Sequence, residues 1–129
     1  MKLNDQDAQN LATAFREAAK AIGDYLYEKW HDLAPADSGS LGQMYVTLKN
    51  TVAHLPTHAA GIVIDEGQVS LTGLLGATKE ATDAFQNIAD VKKAIAITTA
   101  LIDLAAAIPA GKTETIAATF QNLQKATST

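Results

Sequence analysis

The sequence predicts an all-α protein: an up-and-down four-helix bundle with a short irregular or β-hairpin excursion over about 57–76, between the second and third helices. Three observations predict it. Apolar residues recur at helical spacing through most of the 129 residues. Alanine is abundant while aromatics make up only 5% of the chain, which suits closely packed helices better than sheets. The three prolines, Pro35, Pro56 and Pro109, each stand at the edge of a periodic stretch. A chain of this length reads as one domain, residues 1–129, and can bury about two-thirds of its unfolded surface without staples.

The first helix has the cleanest pattern. Asn4 is a capping residue, and Asp5 and Asp7 sit favourably in a first turn. Ala8, Leu11, Phe15, Ala19, Ile22, Leu26, Trp30 and Leu33 share one face; Arg16, Glu17, Lys20, Asp24 and Glu28 share the other. Helix is expected to about residue 33, with Trp30 as a core anchor under the loop after it. Residues 34–40 read as that loop, with Ser38 or Ser40 capping a second helix. Leu41, Met44, Tyr45, Leu48, Val52 and Leu55 form its stripe; Lys49, Asn50 and His54 point away, and Pro56 stops it.

In the 57–76 excursion, Ile62-Val63-Ile64 is a β-branched run that suits a strand. Asp65-Glu66-Gly67 suits a turn with Gly67 at positive φ, after which Val69 and Leu71 alternate with Ser70. This predicts a hairpin over 61–71; the competing reading is a short helix over 57–66 ending at Gly67. Gly73 and Gly76 loosen the entry to the third helix.

From Ala77 to Ile108 no Gly or Pro interrupts, so one long third helix is expected. On a wheel of about 100° per residue, Ala81, Ala84, Ile88, Val91, Ile95 and Ile102 form a core stripe. The opposite side is solvated in the first half, with Lys79, Asp83, Gln86, Asp90 and Lys93. In the second half that side carries Ile97, Leu101, Leu104 and Ile108. A helix apolar all round must be covered by its own fold, another subunit or lipid. A central core helix is the simplest reading. If a partner does the covering, Ile97, Leu101, Leu104 and Ile108 are the candidate interaction surface. After Pro109 and Gly111, Thr113 caps a last helix with Glu114 in its first turn and Ile116, Phe120 and Leu123 as its stripe. The tail 126–129 is expected to fray.

Composition narrows the chemistry. Without cysteine there is no disulfide, thiolate metal site or cysteine nucleophile. The formal net charge is −4, and the ten Lys and Arg form no basic stripe, which disfavours nucleic acid. The N-terminal MKLNDQDAQN lacks a signal-peptide core, which gives a cytoplasmic expectation that leaves signal-independent export open. The span Ala94 to Ala110 is short for a bilayer and contains Asp103, which argues against a transmembrane helix.

The remaining motifs have plain structural readings. Gly111-Lys112-Thr113 lacks the upstream glycine and preceding strand of a phosphate loop, and reads as a junction of helix caps. His54 and His58 have the i, i+4 spacing of two metal ligands, but Pro56 lies between them and only His31 or Asp32 suggests a third. Asp65 and Glu66 read as solvated turn acids. Asp103 lies in apolar company on the same side as Thr99, so the pair are candidate buried polar residues with a need for partners. No nucleophile, base and orienting group can be assembled from spacing, and no cofactor motif is present. The expectation is a non-enzymatic bundle acting through protein–protein contacts, of adaptor, chaperone, immunity or self-assembling type, with a protein partner or a second copy. The alternatives are a membrane- or lipid-interacting bundle using 94–108 and a small-ligand or metal-binding bundle.

Overall fold

A computed structural model describes residues 1–88 and 90–128. Helix α1 (Asp5–Lys29) begins as its sequence predicts. The Asp7 N–H donates to the Asn4 side chain (2.7 Å) and the Asn4 N–H to the Asp7 carboxylate (3.0 Å), so two otherwise orphaned donors are satisfied reciprocally. The helix stops at Lys29 rather than near 33, and the Asp32 and Leu33 N–H groups turn back onto the Lys29 carbonyl. Trp30 is not the expected core anchor: it is 51% exposed. Only residues 30–34 separate α1 from the next helix, too few to form a cover over the indole.

Helix α2 (Pro35–Ala53) starts earlier than predicted, on Pro35 with Ala34 before it. Proline needs no hydrogen-bond partner at the first helical position and brings a helical φ, so no serine cap is required. Ser38 is instead inside the helix, its hydroxyl donating to the Pro35 carbonyl (3.2 Å). Pro56 does not end the helical path but sits in the first turn of α3 (Leu55–His58).

The expected hairpin over 61–71 does not form, nor does a helix over 57–66. The β-branched run pairs with the N-terminus. Leu3 N–H donates to the Ile62 carbonyl (2.8 Å), Gly61 N–H to the Leu3 carbonyl (2.7 Å) and Ile64 N–H to the Met1 carbonyl (2.8 Å), around a Lys2–Val63 bridge. Gly61, at φ +89°, supplies the positive φ that Gly67 was expected to supply. Asp65 does hold a turn, accepting from Gly67 N–H (3.0 Å), but the chain then enters α4 (Leu71–Ala84) directly. The Ser70 hydroxyl caps α4 through Gly73 N–H (2.9 Å), so residues 71 onward are helical and cannot be a return strand. Gly73 and Gly76 lie within α4; a Cβ at Gly73 would sit 3.4 Å from the Phe120 ring.

The single helix expected from Ala77 to Ile108 is two helices, α4 and α5 (Val91–Ala110). Turns run through residues 85–87, and Asp90 restarts the helix by accepting from Lys92 N–H (2.9 Å). Ala89, within that expectation, lies outside the described residues. Pro109 lies inside the last turn of α5, and Gly111, at φ +74°, closes it with its N–H on the Ala107 and Ile108 carbonyls. Helix α6 (Thr113–Thr127) starts after Lys112 without a side-chain cap, so Thr113 is its first residue rather than its cap. Ala126 and Thr127 are helical and not frayed; Thr129 lies outside the described residues.

Among the described residues the protein is thus all-helical, with six helices rather than four. The five longer ones close a ring: α1 packs on α2 and α4, α2 on α5, α5 on α6, and α6 on α4; α3 packs chiefly on α1. The core is continuous, with Leu11, Phe15 and Ile22 of α1, Leu41 and Leu48 of α2, Leu74 of α4, and Ile97, Leu101 and Leu104 of α5 all fully buried. Each such side chain contributes about 1.5–3 kcal/mol of burial, so packing holds these helices more than their propensity does.

Candidate interaction groove

The sequence-predicted site residues separate into core and outer surface. Ile97, Leu101, Leu104 and Ile108 are 0% exposed, within the chain's own core, and present no surface to a partner. Asp103 and Thr99 are exposed, not buried. They share the outward strip of α5 with Ala96 and Ala106, and the Thr99 hydroxyl donates to the Ile95 carbonyl (2.8 Å). Among the described residues the buried polar side chains are Thr78 and Thr98, each satisfied by the carbonyl four residues back, and Ser38. The wheel was out of phase because the helix breaks. Ile95 and Ile102, assigned to the core stripe, are partly exposed residues of α5.

His54 and His58 come together despite Pro56: their rings stack at 5.4 Å and 10°, on the exposed corner where α2 meets α3. No group of three or more His, Asp or Glu side chains in metal-binding arrangement exists among the described residues. Asp65 and Glu66 are exposed, and Gly111-Lys112-Thr113 joins α5 to α6. No helix among the described residues is long and apolar enough to cross a membrane.

The feature that sequence reasoning missed is a groove between α1 and α2, with a volume of about 580 Å³. Its apolar lining comes from Ala19 and Leu26 of α1 and Val52 and Ala53 of α2. Gly23 lets the two helices approach here. A Cβ at that position would lie 3.1 Å from Cε1, Cζ and Oη of Tyr45, so the phenol lies directly against the α1 backbone. Lys49, one turn along α2 from Tyr45, holds its ammonium 5.3 Å from the centre of that ring. The rim adds Arg16, Lys20 and Asp24 from α1. Tyr27, 88% exposed, stands at the end of the groove and also borders a second hollow with Trp30 and His31.

One signal for the groove was present in the sequence. Gly23 interrupts an otherwise strong helix, where glycine costs about 0.5–1 kcal/mol relative to alanine. Such a residue marks a close approach, but the partner side chain, Tyr45, comes from another helix and cannot be read from spacing. The arrangement offers an apolar floor, two tyrosines and three cations; it offers no nucleophile paired with a base. No protein-family model, curated protein or solved structure matches this chain.

Proposed function

We propose that the chain is a non-enzymatic binding protein that acts through protein–protein contact, with the α1/α2 groove and the aromatic end of α1 as its docking surface. The observation that carries this reading is Tyr27, left 88% exposed at the mouth of an apolar groove with Trp30, 51% exposed, one turn away. Single exposed apolar side chains are ordinary. Two large aromatics together beside a concave apolar surface match the anchors that dominate protein interfaces. At 88% exposure the Tyr27 ring adds little to the chain's own packing.

The reading is tested by capture from the source cell with chemical crosslinking, comparing the unmodified chain with the double variant Tyr27→Ala, Trp30→Ala. The double variant is expected to keep its helical content and to melt within a few degrees of the original, because surface truncations usually cost within about 0.5 kcal/mol. It is expected to lose a specific protein that the unmodified chain captures. Identical captured proteins in both samples would overturn the reading.

A further inference from the structure

The protein as a whole is acidic, at a formal net charge of −4. The groove runs against that trend. Arg16, Lys20 and Lys49 line it, three of the ten basic residues of the chain, against the single acid Asp24. Their alkyl stems flank an apolar floor while their charged ends remain in water. The other flank of α1, facing α4, has the opposite character: Glu17, Asp24 and Glu28 line it with Lys20 as the one base. Lys20 and Asp24 border both, so the contrast rests on Arg16 and Lys49 in the groove against Glu17 and Glu28 on the flank.

We infer that the groove receives an acidic segment of a partner protein, carrying one or two large apolar side chains that enter between Tyr27 and Tyr45. This rests on the protein-contact reading and names the chemistry of the partner. The floor of Ala19, Gly23, Leu26 and Val52 is apolar, so the anchor must be apolar. A volume of about 580 Å³ holds one or two such side chains, not a folded element. The cations at the rim select carboxylates beside the anchor, and Glu17 and Glu28 on the acidic flank repel the same segment from the α4 side. Charge therefore fixes which way the segment lies, and the anchor supplies the affinity. A second copy is a weaker occupant than a foreign acidic segment, since two chains of net charge −4 repel at long range.

The test is selection of randomised twelve-residue peptides on the immobilised full chain, then binding measurements on the winners. Selected peptides are expected to carry two or more Asp or Glu within a few residues of Trp, Phe or Leu. Their affinity is expected to fall as salt rises, and by roughly tenfold in Arg16→Glu, Lys49→Glu. Circular dichroism of that variant should match the unmodified chain, since both side chains lie on the groove rim and neither belongs to the core. Selected peptides without acidic enrichment, but lost in Tyr27→Ala, Trp30→Ala, would overturn the acidic segment while leaving the protein-contact reading intact. Peptides indifferent to all four substitutions, or no enrichment at all, would overturn the groove as the docking site. A concentration-dependent dimer that Arg16→Glu, Lys49→Glu dissociates would make the occupant a second copy, which also overturns the inference.

Discussion

Tyr25 is the titratable group whose surroundings act on it most clearly. It is 7% exposed, its ring meets Phe85 edge-on at 5.7 Å, and burial pushes its phenol above the usual tyrosine value, with the Asp90 carboxylate adding to the shift. A raised folded-state pKa contributes stability that is fully present below the unfolded value, near 10, and is lost as pH rises through the folded value. The unmodified chain should therefore lose melting temperature more steeply than Tyr25→Phe between about pH 10 and the folded pKa. Thermal melts of both proteins from about pH 8 to about pH 11.5 check this, a window set around the ordinary tyrosine value; parallel curves through it would show that Tyr25 is not the group responsible. The chain placed Tyr25 among charged neighbours, Asp24, Glu28 and Lys29, and nothing local marked it as buried. The neighbours that desolvate it come from the α4–α5 junction, some sixty residues away.

At the scale of elements, the start of α1 was legible because its two capping side chains satisfy each other's backbone within four residues. The Asn4–Asp7 pair is both a sequence pattern and a set of two hydrogen bonds, so the start of α1 could be read. The break between α4 and α5 could not be, because Phe85-Gln86-Asn87-Ile88 contains neither Gly nor Pro. Ile62-Val63-Ile64 failed for a different reason. The β-branched run did seek an extended partner, but its partner is residues 1–3, and pairing across sixty residues leaves no local trace. Asp90 offers a test of the break in which the two descriptions differ in sign. In an unbroken helix, Asp90→Ala would stabilise by up to about 0.7 kcal/mol, since alanine is the better helix former. As the residue that caps α5, its loss should destabilise by about 1 kcal/mol, and Asp90→Asn, which preserves the cap, should lose much less. Urea titration of the three proteins measures it, and a gain in stability for Asp90→Ala would reject the cap.

For the whole molecule, the all-helical class was legible because helical periodicity is a property of each segment alone. Which side of α5 faces inward was not, because that depends on where five other helices lie. A stripe of Ile, Leu and Ala looks the same whether its own chain, a partner or lipid covers it. Leu101 lets experiment decide between the first two. It is 0% exposed, within a core shared with α1, α2 and α4. Leu101→Ala should cost about 2–5 kcal/mol, the range for truncating a buried leucine, and leave a folded but weakened protein. Leu101→Lys adds the burial of an unpaired ammonium, and against a total stability of about 5–15 kcal/mol it should unfold much of the population at room temperature. That unfolding, monitored by circular dichroism, should not depend on protein concentration, because no second chain is needed to cover the residue. A Leu101→Lys protein that kept its full helical signal while losing mass in sedimentation would instead place Leu101 at a subunit interface. The groove variants Tyr27→Ala and Trp30→Ala set the contrast. Tyr27 lies largely in water and Trp30 about half so, so their effect belongs mainly in binding, whereas that of Leu101, fully buried, belongs in folding.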